Sequence, residues 1–207
     1  MKALARFGAR TTPPRFRQRG IALITSLLLL LIITILGISM FRGLGSQEKI
    51  AGNLREKDRA LHAAESAQQY AEWWLLQGNN ASSGSVTCVP GQNANLGQGQ
   101  ICNQTLTAAA GLAAGHTAGD VALPWNLAVT YTPPNMSTYA AGQSGTSGDP
   151  PYFASPGFYI ADLGRAADNA GEVYQIDAYG YGGASTTVAI VESTYEISQG
   201  VVNRGGL

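Results

Sequence analysis

The sequence has few basic residues outside its N-terminus. Of its 13 Lys and Arg residues, six lie within residues 1–20, and only Arg165 and Arg204 follow residue 78. Residues 42–207 carry seven basic and 13 acidic side chains. Because binding to nucleic-acid phosphates needs clustered Lys and Arg, no nucleic-acid-binding surface is predicted.

Histidine and cysteine are equally scarce, with two of each in the chain. His62 lies in a charged segment that is predicted to be helical, so few ligands remain for a metal site. A triad of His116, Asp120 and a serine has no G-x-S-x-G motif to position it. No catalytic residue, metal site or cofactor is therefore predicted, and we expect a non-enzymatic protein.

A group of carboxylates could instead form an oxygen-rich calcium site around a turn. Its members are Asp162, Asp168, Asn169 and Glu172. Their spacing does not fit an EF-hand loop, and acids beside a glycine-rich turn are more often solvated. Calcium binding by these residues is therefore an open but less favoured hypothesis.

Charge is absent from residues 21–41, which read IALITSLLLLLIITILGISMF. At about 1.5 Å rise per residue, a helix of this length crosses a hydrocarbon core of about 30 Å. The basic residues before it predict a cytoplasmic N-terminus under the positive-inside rule, with everything after Phe41 outside the cytoplasm. This pattern excludes an ordinary cytosolic globular protein.

Several kinds of N-terminal segment share this pattern. A cleaved secretory signal has a shorter apolar core and a small-residue cleavage site, whereas Met40, Phe41 and Arg42 end this run. No cysteine follows the run directly, which disfavours a lipoprotein anchor. Two alternatives remain. One is a plain uncleaved signal anchor, and the other is indicated by the residues at which the apolar run begins.

That start is Arg17-Gln18-Arg19-Gly20, followed at once by Ile21. Here the sequence resembles a type IV prepilin, whose basic leader is cut after such a glycine by a prepilin peptidase. The resemblance implies a leader of residues 1–20, processing between Gly20 and Ile21, and N-methylation of Ile21.

The helix is predicted to continue to Gln77, because no proline interrupts residues 42–77. Gly78-Asn79-Asn80 supplies a stop signal. Trp73, Trp74, Leu75 and Leu76 make its C-terminal part apolar enough to pack under a globular head. Apolar residues at helical spacing predict one buried face, formed by Ile50, Leu54, Leu61, Ala64, Ala71 and Leu75.

Two segments resemble PilX-type minor pilins. The first has the pattern Q-E-x-x-A-G-N-x-R over residues 47–55, followed by A-x-x-A-A-E over residues 60–65. The second is the strand, glycine-rich turn and strand over residues 174–195. The resemblance implies an α+β pilin fold, in which a long N-terminal membrane-spanning helix packs on a small antiparallel sheet with a loop-rich middle region.

The domain boundaries follow from these segments. We expect a leader at 1–20, a transmembrane half-helix at 21–41, a periplasmic half-helix at 42–78 and a globular head at 79–207. About four strands are predicted in the head, including 127–132, 158–163 and a C-terminal hairpin. Alternation in that hairpin predicts a sheet with one face on the helix and the other in water, and half-buried tyrosines rather than an adhesive patch.

Cys88 and Cys102 both lie in the exported part, where thiols are oxidised. We expect a disulfide that closes a loop of about 15 residues. A second cysteine so close in sequence makes a bridge more probable than a free catalytic thiol.

Thr25 is the fifth residue after Gly20, at a position where the family's major pilins carry a glutamate. In those pilins the glutamate is thought to neutralise the N-terminal ammonium of a neighbouring subunit. A threonine offers only a hydroxyl, so repeated stacking of this subunit is disfavoured. This predicts a special position, such as a priming or capping complex at the pilus tip.

The resemblance implies a set of partners, namely prepilin peptidase, other minor pilins, the major pilin, a possible tip adhesin, and membrane lipid before assembly. The expected location is the inner membrane with a periplasmic head, and then the pilus. Twitching motility, adhesion and DNA uptake are all open as outputs. Two alternatives remain: an adhesin or ligand-binding tip module using residues 79–171, and a minor pseudopilin of a type II secretion system.

Overall fold

The computed structural model describes residues 20–89, 99–139 and 150–198, apart from the side chains of residues 42–44. The chain divides into two units, residues 1–50 and 51–207, which are described separately. A long helix, α1 (Ile21–Leu76), contributes to both units. The second unit also contains a short helix, α2 (Leu106–Ala109), and strands β1 (Val129–Thr130), β2 (Gly157–Arg165), β3 (Gly171–Tyr181) and β4 (Val188–Ser198).

Helix α1 ends where the sequence predicts. Gly78 and Asn79 adopt left-handed backbone conformations, with φ of 54° and 64°, which glycine and asparagine tolerate best. The Asn80 side chain then donates to the Trp74 carbonyl oxygen at 2.7 Å, which satisfies one of the free carbonyls in the last turn. The chain therefore leaves the helix at a fixed point.

The four strands form one antiparallel sheet in the order β1-β2-β3-β4. Strand β3 is central and pairs with β4 along its whole length, from Gly171 opposite Ser198 to Tyr181 opposite Val188. The β2–β3 register shifts between Asp162 and Gly164, where Gly164 has φ of 86° and donates to the Asp162 carboxylate at 2.7 Å. The predicted α+β fold is confirmed, although the strand predicted at 127–132 shortens to the two residues of β1.

One face of the sheet packs against an alanine-rich stripe of α1. The closest approach is at Gly180, where an added Cβ would lie 2.6 Å from the Ala60 carbonyl oxygen and would also meet the Ala64 backbone nitrogen. Only small residues permit this separation of helix and strand. The buried stripe consists of Ala60, Ala63, Ala64, Ala67, Ala71 and Leu75.

This stripe corrects the predicted helix face. Ala64, Ala71 and Leu75 are buried as expected, but Leu54 is 65% exposed and Leu61 is 37% exposed. In the first unit, Ile50 is also exposed. The prediction favoured large apolar side chains, whereas the close approach of β3 requires alanines on a neighbouring face.

Over β2 and β3 the second face of the sheet is also covered, so the prediction that this face lies in water is wrong there. Residues 101–128 fold across β2 and β3, and Trp125 meets the Tyr179 ring edge-on at 5.0 Å. Tyr159, Tyr179 and Tyr181 are each less than 5% exposed on this side. Strand β3 carries aromatic side chains on both of its faces, and both faces are buried, as in a central strand that lies between two layers.

Candidate processing and assembly sites

The predicted processing site lies where the described N-terminal unit begins. Gly20 forms a turn and Ile21 is the first residue of α1. An added Cβ on Gly20 would meet nothing within 4 Å, and the Ile21 side chain is 65% exposed. Among the residues that the structure describes, none therefore crowds the Gly20 side of the peptide bond between them. The basic leader residues before Gly20 lie outside the described residues.

Thr25, at the position predicted to affect filament packing, turns its hydroxyl back to its own helix. The Oγ1 atom lies 3.1 Å from both the Ile21 and Ala22 carbonyl oxygens. Ser26 and Thr34 similarly donate to carbonyls three residues earlier, at 3.0 and 2.8 Å. These bonds satisfy the hydroxyls in an apolar solvent without needing a neighbour.

The rest of this part of α1 presents apolar side chains outward. The helix is long and apolar enough to cross a membrane by length and composition. Its large hydrophobic residues between Ile21 and Phe41 are from 46% to 77% exposed. Such a surface is unfavourable in water and requires lipid or other apolar helices around it.

In the head unit, the motif over residues 60–65 has a clear packing role. Ala60, Ala63 and Ala64 make the contact surface for Gly180. His62 and Glu65 lie on the exposed side, with the ring Nδ1 3.3 Å from the carboxylate. The pattern A-x-x-A-A-E therefore combines a flat buried face with a solvated one.

A polar clamp on α1 was not predicted from the sequence. The Glu56 carboxylate accepts from the Gly183 amide at 2.6 Å and from Arg59 at 2.9 Å. Arg59 also donates to the Pro150 carbonyl oxygen at 2.6 Å and lies over the Tyr152 ring, 4.4 Å from its centroid. The clamp thus fastens α1 to the β3–β4 turn and to the segment before β2.

The electrostatics of the clamp favour its charged form. The hydrogen bond from the Gly183 amide is the largest cause that lowers the pKa of Glu56, and Arg59 lowers it further against the opposing effect of burial. Burial opposes the charge on Arg59, but the Glu56 partner still raises the Arg59 pKa. Charge-assisted bonds of this kind are stronger than neutral ones. The sequence signal was only an i, i+3 pair of opposite charges.

Cys88 and Cys102 form a disulfide with a Cα–Cα distance of 5.4 Å. Both residues are buried, and Cys102 also joins β2 through its backbone: its amide donates to the Ile160 carbonyl oxygen and its own carbonyl accepts from Asp162. The bridge therefore ties the segment after α1 to the sheet. Residues 90–98 of the enclosed loop lie outside the described residues.

A buried acid, Asp177, lies on the second face of the sheet, the face that also carries Tyr179. Asp177 is completely buried, and the Gln175 amide donates to its two carboxylate oxygens at 3.1 and 3.3 Å. The pKa of Asp177 is raised to about 6, chiefly by burial; the Gln175 hydrogen bond lowers it in part, and the charge of Glu192 on the neighbouring strand adds to the rise. The sequence had predicted Asp177 on a solvated face.

The residues considered for catalysis or calcium binding have local structural roles. His116 Nδ1 lies 3.5 Å from Asp120, whose carboxylate caps a 3₁₀ turn through the Thr117 amide at 2.8 Å. Asp168 accepts from its own turn at Ala170. In residues 20–89, 99–139 and 150–198, no three His, Cys, Asp or Glu side chains are grouped as they would be to hold a metal ion.

The middle region also contains an apolar groove. It is lined by Leu106, Val121, Trp125 and Leu127, with Asp120 at its edge. The buried Trp125 Nε1 has no hydrogen-bond partner within the described residues. In the described part of the head, this groove thus combines an apolar lining with a buried polar atom that lacks a partner.

Comparison with known proteins gives one match. Residues 19–68, about a quarter of the chain, match the family model described as PilX N-terminal. No curated protein and no solved structure matches the chain. The matched segment begins one residue before Gly20 and ends within α1, so it contains the predicted processing junction, the apolar span and both helix motifs, but no strand of the head. The N-terminal quarter of the chain is therefore similar to the N-terminal region of PilX-type pilins.

Proposed function

We propose that this protein is a non-enzymatic minor pilin that helps to prime or cap assembly of a type IV pilus. The observation that carries the proposal is the family match over residues 19–68, aligned with a helix that starts at Ile21. Cleavage after Gly20 would release the apolar helix with a new, N-methylated amino terminus. Prepilin peptidase is the partner for this step.

The mechanism of assembly follows from the exposed apolar surface. In the inner membrane, lipid surrounds residues 21–41 and the head lies in the periplasm. On extraction, helix packing within the pilus replaces lipid contact, so the apolar surface stays out of water. The other partners in this step are the major pilin and further minor pilins.

Thr25 supports a special position instead of a repeated one. Its hydroxyl is engaged by its own helix at 3.1 Å and carries no charge. A neighbouring ammonium would find no carboxylate there, and an unpaired charge in an apolar environment is costly. A few copies at the tip, beside a tip adhesin, avoid stacking this subunit on itself.

Complementation of a deletion strain tests this function. A Gly20→Lys variant should stay in the membrane uncleaved, and surface pili should be lost or sharply reduced. A Gly52→Ala variant is the matched control, because Gly52 lies in α1 with nothing within 4 Å of an added Cβ. Normal pili with Gly20→Lys, or normal pili in the deletion strain itself, would contradict a role in assembly.

A tip adhesin is the second candidate, favoured by the apolar groove beside Trp125. Deleting residues 79–171 would not test it, because Cys102, Trp125 and Phe158 belong to the core. A Val121→Gln variant changes the groove with less disturbance. Intact pili with lost attachment would assign binding to the groove, whereas normal attachment would remove this alternative. Assays of protein secretion distinguish the remaining alternative, a type II pseudopilin.

A further inference from the structure

Strand β4 has one partner along its whole length. All 11 of its residues, Val188–Ser198, pair with β3, and the strand order places β4 at the edge of the sheet. Over the part of the chain that the structure describes, no strand pairs with the other side of β4. That side is therefore a row of backbone groups without a strand partner.

The hydrogen bonds between β3 and β4 show which backbone groups of β4 face away from β3. Gly182 donates to the Thr187 carbonyl oxygen at 2.8 Å across the turn, so this pair faces inward. The Val188 carbonyl oxygen instead accepts from Lys57 Nζ at 2.7 Å, so it faces away from β3. Alternate residues of an antiparallel strand share a direction. The outward N–H and C=O groups thus belong to Val188, Ile190, Glu192, Thr194, Glu196 and Ser198.

This edge carries two glutamates but lacks several other features that protect an edge strand. It has no proline and no lysine, and the β3–β4 register is continuous, without the shift found between β2 and β3. At the opposite edge of the sheet, β1 has only two residues. A long, regular and uncovered edge is a template for the addition of another strand.

The side chains along this edge restrict its partner. Glu192 and Glu196 are exposed on one face of β4, four residues apart, with Thr194 between them. The opposite face offers Tyr195 and Ile197, which are partly buried against the helix-side core. Opposite charges across adjacent strands stabilise pairing, and like charges oppose it.

The same two glutamates disfavour pairing between β4 and the β4 strand of a second copy of this chain. A symmetric antiparallel pair of β4 strands centred on Thr194 would place Glu192 of each copy directly opposite Glu196 of the other. Two like-charge pairs would then face each other across the new ladder. The edge is therefore better matched to a strand of another sequence.

We propose that β4 is a strand-addition site for an extended segment of a partner protein, with basic residues four apart opposite Glu192 and Glu196 and apolar residues beside Tyr195. Backbone hydrogen bonds supply the affinity and the two glutamates select the sequence. This inference does not depend on the proposed role in pilus assembly.

The test uses the full chain in detergent and a synthetic peptide of alternating valine and threonine with two lysines four positions apart. The same peptide with glutamates in place of the lysines is the control. Thr194→Pro removes one outward N–H and keeps the bonds to β3, because proline is tolerated on the solvent side of an edge strand. The double variant Glu192→Lys and Glu196→Lys reverses the charge.

The lysine peptide should bind the native chain about tenfold more tightly than the glutamate peptide, given two cross-strand ion pairs. Thr194→Pro should weaken binding of both peptides, and the charge-reversed variant should prefer the glutamate peptide. Amide exchange should slow at Ile190, Glu192 and Glu196, but not at Val191 or Ser193.

Several outcomes would overturn the proposal. Absence of saturable binding by the lysine peptide would refute it directly, as would equal affinity for the native and charge-reversed chains. Protection confined to other parts of the head would move the binding site away from β4. Dimers that form without peptide and disappear in the Thr194→Pro variant would show a second copy to be the occupant, which the proposal excludes.

Discussion

Replacing the buried acid Asp177 by Asn should stabilise the head at neutral pH. Its pKa is raised from 3.8 to about 6 in the folded chain, chiefly by burial. The difference of about two pKa units corresponds to about 3 kcal/mol at 1.36 kcal/mol per unit. Asn keeps an acceptor for the Gln175 amide and removes the charge that burial disfavours.

The pH range of this effect follows from the two pKa values. Because the pKa is higher in the folded than in the unfolded chain, the favourable contribution is complete below about pH 4 and is lost as pH rises through about 6. The native chain should therefore lose stability over this interval relative to Asp177→Asn. The two should approach each other at low pH.

Thermal unfolding of the full chain in detergent, followed by circular dichroism between pH 4 and pH 8, provides the assay. About 3 kcal/mol corresponds to a rise in Tm of about 6–12 °C for Asp177→Asn at pH 7 in a head of this size. Taking the difference in Tm between the native chain and Asp177→Asn at each pH cancels the effect of other groups that titrate in both chains.

A second pair of variants tests the cause of the shift. Burial is the main cause of the raised pKa of Asp177, and Glu192→Gln removes a charge that adds to it, so this variant should move the transition to lower pH. Glu196→Gln, at an exposed position of the same strand opposite Val173, should leave it in place. A difference between the native chain and Asp177→Asn that is independent of pH would refute the reasoning.

Three further predictions concern the packing of the head. Gly180→Ala should lower the free energy of unfolding by about 1–3 kcal/mol in denaturant titrations, because its Cβ meets helix backbone, whereas Gly52→Ala should raise it by up to about 1 kcal/mol; equal effects would contradict the packing argument. Replacing Cys88 and Cys102 by serine should cost about 3 kcal/mol in the same titrations, as expected for their sequence separation of 14, and reduction of the native chain should give the same loss. Glu56→Ala should cost about 1–2 kcal/mol by breaking the Gly183 bond, and Glu56→Gln should cost less because it retains an acceptor; a larger loss for Gln would argue against the clamp.

The parts of the fold that local sequence determines could be predicted. The end of α1 at Gly78 and Asn79 depends on conformations that these residue types favour, and the paired strands of the C-terminal hairpin have a clear alternation. The apolar span depends on composition alone. Each of these signals is contained within a few adjacent residues, so no tertiary contact was needed to read it.

The layer over the second sheet face could not be predicted in this way. Asp177 and Tyr179 alternate with apolar residues, which favours a solvated face, but both are buried, and Trp125 from the segment 101–128 packs against Tyr179. That contact joins residues from distant parts of the sequence, and the loop-rich sequence gives no periodic signal for it. The buried face of α1 differs from the predicted one for a similar reason, because the contact with Gly180 determines which face of the helix can approach β3.

The clamp around Glu56 illustrates the same limit for the candidate sites. Gly20, Ile21 and Thr25 are contiguous with the apolar run and could be selected from the sequence. Glu56 depends on Gly183, 127 residues away, and its charge pair with Arg59 resembles any exposed pair on a helix. Sites built from distant backbone amides leave little trace in the sequence.

The N-terminal mass of the protein tests the central claim most directly. It should be measured in protein from sheared surface pili and, separately, from inner membranes. Processing after Gly20 predicts a methylated N-terminus at Ile21 in both fractions, with far fewer copies than the major subunit in the pili. An intact Met1 confined to the membrane fraction would contradict the account and leave a signal-anchored protein.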